Sequence, residues 1–218
     1  FSVSYLDKYI KTEKGNIFES DVLFICVPTP TKVTEQDLTE INNALVFLHS
    51  GSYKGIAVIK STVLPGTCKM LQNKFKKLRI VHNPEFLTAK TPYKDFMNQK
   101  SILLSGKSKD CEYVAQMFID FFKGKTIDIN ISNKYETTEW AKYIHNCALP
   151  ILLSFLNEVY IAIDNKSVFN YAVDMAFTQG NLGSKKPSVP GHDGLLGWGG
   201  MCFPKDTKAL VGWFLRKG

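Results

Sequence analysis

Short apolar runs alternate with amphipathic stretches along the chain as far as about Asn133. Asp21–Val27 (DVLFICV) is nearly continuous in apolar residues, and Gly55–Ser61, Leu78–His82, Ser101–Ser105 and Thr126–Ile131 follow in the same manner. Runs of this kind suit parallel strands buried on both faces. Phe1–Asp7 alternates, is rich in β-formers and reads as a further strand. Between the runs lie helical patterns. Asp37-Leu38-Thr39-Glu40 has the spacing of a capping box ahead of Ile41, Ala44, Leu45 and Leu48. Gly66–Lys77 and Asp110–Phe122 also repeat with helical period. Strand–helix alternation predicts an α/β fold, an open sheet with crossover helices.

The pattern changes beyond Asn133. Thr137–Asp164 reads as one long helix with a kink at Pro150, and Ser167–Gln179 as a second. Asn181–Gly200 is rich in Gly and Pro, hence loop, and Asp206–Arg216 closes as a helix. The expected organisation is a sheet domain over residues 1–132 and a helical segment over 133–218. On the long helix, Ile144, Ala148, Ile151, Leu152, Phe155 and Val159 form a broad apolar stripe.

Composition narrows the class. The chain has 218 residues, 44% hydrophobic and 22% charged, which is ordinary for a globular protein with a real core. The longest apolar candidate, Ala148–Ile163, is broken by Pro150, Ser154, Asn157 and Glu158, so no membrane span is expected. No secretory signal is visible. The first residue is Phe rather than Met, which suits a fragment or a processed chain. The five cysteines (Cys26, Cys68, Cys111, Cys147, Cys202) form no close pairs, and the four histidines lack metal-binding spacing. The expectation is a reduced, cytoplasmic protein without structural metal. A net charge of +7 could serve nucleic acid, but the lysines are scattered and no nucleic-acid signature is present. Such a charge also attracts anionic small molecules.

In open α/β sheets, ligands bind beyond the carboxyl ends of the strands. Val27-Pro28-Thr29-Pro30-Thr31 follows one strand; its prolines fix an extended path and its threonines offer hydroxyls. Lys60–Thr67 follows the next and opens a helix. Its hydroxyls and N–H groups suit either an anionic ligand or ordinary N-capping. Asn83-Pro84-Glu85-Phe86-Leu87 follows the third, where a carboxylate beside apolar residues is a candidate base. Lys142 and Asn146 share one side of the long helix and could stabilise an oxyanion and orient a hydroxyl. Near the end, Gly197-Trp198-Gly199-Gly200-Met201-Cys202-Phe203-Pro204-Lys205-Asp206 sets a thiol just after three glycines, with a cation and a carboxylate close behind. The reading is either a buried thiol in a glycine-rich turn or a nucleophile.

Taken in order, VLFICVPTPTK, VIKSTVLPGT, NPEFL, EWAKYIHN…FLNE and VPGHDGLLGWGGMCFPKD resemble the UDP-glucose/GDP-mannose dehydrogenase family, over about Asp21 to Asp206. The CFPKD block looks most like its UDP-glucose 6-dehydrogenases. The resemblance implies a Rossmann-like parallel sheet followed by a helical dimerisation segment. It also implies NAD as cofactor and four-electron oxidation of a nucleotide sugar, UDP-glucose to UDP-glucuronate, through a cysteine thiohemiacetal and thioester. Cys202 would be the nucleophile, Lys142 the oxyanion partner with Asn146 beside it, Asp206 and Thr62 the water-positioning groups, and Glu85 the aid to thioester hydrolysis. NAD would meet Asp7, Val27, Thr29, Pro30, Thr31, Ser61, Thr62 and Lys205. The sugar nucleotide would meet Glu85, Phe86, Leu87, Lys142, Asn146 and Gly199. Family members pair through the long helix, which implies a homodimer, with no nucleic-acid or membrane partner.

The chain departs from the family in lacking a GxGxxG turn, and Phe1–Asp7 looks like the second strand of the cofactor domain. The sheet is therefore expected to be incomplete at its N-terminus, with about a strand plus helix preceding Phe1. The family's C-terminal nucleotide-binding domain is not seen either. A truncated, non-catalytic scaffold that binds NAD or oligomerises is the alternative.

Overall fold

A computed structural model describes residues 3–9, 16–88, 90–180, 182, 187–191 and 193–217. It contains strands β1 (Val22–Ile25), β2 (Thr31–Lys32), β3 (Glu35–Gln36), β4 (Ile56–Ile59), β5 (Arg79–His82), β6 (Ser101–Gly106) and β7 (Asp128–Ser132). The helices are α1 (Thr39–Ser50), α2 (Thr67–Lys74), α3 (Pro92–Met97), α4 (Ser108–Phe121), α5 (Tyr135–Ile163), α6 (Lys166–Thr178) and α7 (Phe203–Lys217). The chain divides into two compact units. One is Phe1–Lys142 with Ala209–Gly218, the other Tyr143–Lys208.

The first unit is built on a five-stranded sheet in the order β1-β4-β5-β6-β7. The alternation of burial along β4 explains the layers. Ala57 and Ile59 join Ile25 and Ile80 under α1 and α2, against Ile41, Leu45, Cys68 and Leu71. Ile56 and Val58 face the other way, with Val81, Ile102 and Leu104, onto Val114 and Phe118 of α4. Successive strand side chains point to opposite faces, so a strand with helices on both sides must be apolar throughout, which is what β4 shows. Arg79 of β5 adds an ion pair to Asp110 in the first turn of α4, at 2.7 Å.

The structure departs from the sequence reading in detail. Residues 3–7, part of the proposed first strand, lie in no strand and are exposed, and residues 1 and 2 fall outside the described set. The sheet edge is instead β1. The sheet is mostly parallel, but β5 and β6 run antiparallel, overlapping only at Val81–Gly106 and His82–Ser105. The capping box does not close. Asp37 Oδ1 accepts from the Thr39 N–H at 2.9 Å, and Glu40 turns away to pair with Lys8. The short hairpin β2–β3 and helix α3 had no sequence signal, each being too brief to establish a period.

In the second unit, Leu156 of α5 packs with Phe169, Val173 and Phe177 of α6 and with Val189. Asn165 caps α6, accepting from the Ser167 and Val168 N–H groups. α5 itself runs unbroken through Pro150. Contrary to the sequence reading, it is long and apolar enough to cross a membrane by length and composition alone, with a mean hydropathy of 1.5 over 18 residues. It nonetheless carries the buried polar residues Glu139, Lys142, Asn146 and Asn157.

Candidate active site

In the first unit, three loops leave the carboxyl ends of β1, β4 and β5, and they are tied to one another. Ser61 Oγ donates to the Val27 carbonyl at 2.6 Å, and Thr29 Oγ1 to the Thr62 carbonyl at 2.7 Å. Gln36 of the hairpin grips the loop after β4 twice. Its Nε2 donates to Thr62 O and its Oε1 accepts from Leu64 N–H. The hydroxyls of Thr29 and Ser61 are therefore spent on fixing the loops. Pro30 also gives its carbonyl to the Asp37 N–H. Thr31 Oγ1, by contrast, is buried without a partner. Asp7 is exposed and accepts from the Tyr9 N–H.

The start of α2 is filled from within. Glu139 of α5 is fully buried and accepts from the Gly66 N–H at 2.6 Å and the Cys68 N–H at 2.7 Å. A helix start offers unpaired N–H groups to an anion, and here the anion is the chain's own carboxylate. This carboxylate stands where the sequence reading offered a Ser/Thr cap, for the residue at the N-cap is Gly66. Burial raises the Glu139 pKa, and the two N–H bonds partly offset it.

The Asn83–Leu87 loop carries the densest polar arrangement. Asn83 is buried, and its Nδ2 donates to the Leu103 carbonyl at 2.8 Å, prolonging the brief β5–β6 pairing. Lys60 Nζ donates to Asn83 Oδ1 at 2.9 Å and pairs with Glu85 Oε2 at 3.0 Å. Glu85 Oε1 accepts from the Phe86 N–H. Lys142 is buried, donates to the Glu85 carbonyl and lies 4.9 Å from the centre of the Phe86 ring. Leu87 is half-buried at the end of the loop. Beneath it, fully buried His82 pairs through Nδ1 with Thr138 Oγ1 at 2.6 Å, and Thr138 with Ser105.

Burial lowers the His82 pKa to about 3, and the Lys60 and Lys142 ammonium groups push the same way. The unfolded chain takes up this proton near pH 6.5, whereas the folded chain refuses it until about pH 3. Between these values the unfolded state binds more protons. Stability should therefore fall with falling pH, by up to about 1.4 kcal/mol per unit. Urea titrations at a series of pH values should show this slope, and His82→Gln should be flatter over the same window. Equal slopes would contradict the assignment.

In the second unit, Asn146 and Asp206 are both buried, and Asn146 Nδ2 donates to Asp206 Oδ2 at 2.7 Å. Lys205 Nζ pairs with Asp206 Oδ1 at 2.5 Å. Cys202 is exposed and immediately precedes α7, its carbonyl accepting from the Asp206 N–H at 2.9 Å. Asn157 of α5 holds the loop ahead of it, its Oδ1 accepting from the Gly197 N–H at 2.8 Å, and Trp198 donates to Ser154 Oγ. Gly197 and Gly200 have φ of 100° and 81°, conformations that favour glycine. Gly199 is exposed, with open space where a Cβ would stand.

Sequence reasoning grouped Lys142 with Asn146 and Asp206 with Thr62, and named Glu85 separately; the structure instead bonds Lys142 to Glu85 and Asn146 to Asp206. Sequence reasoning missed Gln36, Lys60, Asn83, Glu139 and Asn157. Glu139 had a signal, since it lies one turn before Lys142. The others act across loops and had none.

A mostly parallel sheet with helices on both faces and polar loops at its strand ends is the architecture of Rossmann-like dehydrogenases. Residues 7–123 match the NAD binding domain of the UDP-glucose/GDP-mannose dehydrogenase family, and residues 136–218 its central domain. The chain belongs to that family, and its sheet unit corresponds to the NAD-binding domain. It is 30% identical over 203 residues to the UDP-glucose 6-dehydrogenase TuaD of Bacillus subtilis, covering 88% of this chain and 42% of that protein. It is 29% identical over 202 residues to the UDP-glucose 6-dehydrogenase of Campylobacter jejuni, covering 91% of this chain and 50% of that protein. A solved UDP-glucose dehydrogenase from Pyrobaculum islandicum superposes with a TM-score of 0.74 at 26% identity, covering 92% of this chain and 48% of that one. The chain spans about half the length of these relatives.

Proposed function

We propose that the protein containing this chain oxidises a nucleotide sugar, UDP-glucose to UDP-glucuronate, by the chemistry of a cysteine-bound acyl intermediate. The observation that carries this reading is Cys202, exposed at the start of α7, in the unit where Asn146 and Asp206 are bonded together. Two NAD+ molecules, bound in turn, would each take up one of the two hydrides that a primary alcohol loses on becoming a carboxylate. The loops of Val27, Thr29, Pro30, Thr31, Ser61 and Thr62 would hold the cofactor. The unpartnered, buried Thr31 hydroxyl is the polar atom there that a ligand would satisfy. Asp7 and Lys205 are further candidate contacts.

Cys202 adds its sulfur to the aldehyde stage of the substrate, forming a C–S bond that persists through the acyl stage. Water then attacks the acyl carbon; the new C–O bond forms, the C–S bond breaks, and the electron pair remains on sulfur. The Lys142 ammonium offsets charge developing on the substrate oxygen, with Asn146 beside it. Asp206 and Thr62 orient water, and Glu85 receives a proton from it. Phe86, Leu87 and Gly199 shape the sugar side. The test is the stoichiometry of the gene product that contains this chain, incubated with UDP-glucose and NAD+. Two NADH should form per UDP-glucuronate; one, or none, would overturn the reading.

The same reading includes a homodimer through α5. Ile144, Ala148, Ile151 and Phe155 recur at helical spacing and are exposed, whereas Leu152 and Val159 turn towards α6. An apolar stripe of this kind suits a partner helix. Light scattering at micromolar concentration should give twice the chain mass, and Ile151→Glu with Phe155→Glu should halve it. A monomeric parent protein would refute the pairing.

A further inference from the structure

We propose that Lys60 is a positioning residue for the Glu85 carboxylate, with Asn83 as its anchor; the assignment rests on the proton-transfer role proposed above for Glu85. Lys60 leaves the end of β4 and meets two partners at once, Asn83 Oδ1 at 2.9 Å and Glu85 Oε2 at 3.0 Å. Asn83 cannot swing away, because it is buried and its other end is bonded to Leu103 of β6. The second carboxylate oxygen of Glu85 is held by the Phe86 N–H, and the Glu85 carbonyl by Lys142. Side-chain exposure is only 17% for Lys60 and 30% for Glu85, so water competes weakly for the pair. A carboxylate gripped at both oxygens has one orientation, which suits a group that must meet a proton in fixed geometry.

Cys26 supplies a readout that needs no turnover. It is exposed at the end of β1 and feels both members of the pair. Although the residue reaches solvent, partial desolvation of its thiol raises its pKa. Lys60 acts to lower it and Glu85 to raise it. Iodoacetamide reacts with thiolate, so its rate at Cys26 reports the balance of the two charges.

The experiment measures that rate by peptide-resolved mass spectrometry, at about pH 8, on this chain and its variants. Lys60→Met should slow Cys26 alkylation by about threefold to tenfold, and Glu85→Gln should speed it by about twofold or more. Lys60→Arg, which keeps the charge, should stay within about twofold of the parent. Loosening of the fold would accelerate both the Met and the Gln variant. Unchanged rates, or acceleration in both, would therefore overturn the assignment. In the full gene product, Lys60→Met, Glu85→Gln and the double variant should lose turnover by the same factor, because residues that act as one unit are not additive. Multiplied losses would show that Lys60 acts independently of Glu85. If the parent protein forms no NADH, the proposed function falls. The alkylation contrast still decides whether Lys60 and Glu85 stand beside Cys26 as opposed charges, as their ion pair requires.

Discussion

Replacing Cys202 by serine in the full gene product is expected to slow UDP-glucuronate formation by about a thousandfold or more. The loss follows from what sulfur does at each stage. A thiolate adds readily to an aldehyde and then leaves readily from an acyl group. An alkoxide at the same place is scarcely formed near neutral pH and is a poor leaving group. Oxidation of the alcohol to the aldehyde needs no sulfur, so a hydrazine reagent should trap aldehyde in the serine variant. The position supports the assignment, because Cys202 lies at the solvent surface and immediately before the first turn of α7. A serine variant within about tenfold of the parent would remove Cys202 from the mechanism.

The second large effect is on stability. Glu139→Ala is expected to cost about 3 kcal/mol, the low end for two hydrogen bonds to a charged group at about 1.5–3 kcal/mol each. The carboxylate is fully buried and answers the N–H groups of Gly66 and Cys68. Its removal leaves two buried donors unpaired and opens a void against α2. Glu139→Gln preserves the shape but retains only one accepting oxygen, so it should lose about half as much. Urea denaturation of the sheet unit reads both values. An alanine variant within about 1 kcal/mol of the parent would mean that α2 finds another cap. The same variant distinguishes this carboxylate from an ordinary surface glutamate, whose replacement changes stability by about 0.5 kcal/mol or less.

Legibility in the sequence followed the length over which a pattern repeats. β4, with four buried residues in a row, and α4, with its helical spacing, were legible because burial on both faces or on one face leaves an unmistakable period. β2–β3 and α3 are too short for a period. Phe1–Asp7 shows the alternation of a strand, yet residues 3–7 have no neighbouring strand in this fold and do not form one. Alternation permits a strand, but only a hydrogen-bonded partner makes one. The capping box failed for a related reason. Glu40 has the right spacing, but the Lys8 ammonium offers it a charged partner at 3.2 Å.

By itself the sequence determined the family, the strand–helix alternation and most of the candidate catalytic side chains. These are properties of residue type at fixed spacing. Tertiary structure decided which polar groups remain free. It spent Thr29 and Ser61 on their own loops, filled the start of α2 with Glu139, and set Lys60 between Asn83 and Glu85. None of these pairings follows from spacing, because each joins segments far apart along the chain. Burying a polar group costs free energy unless the fold gives it a partner, and only the fold determines which partner is within reach.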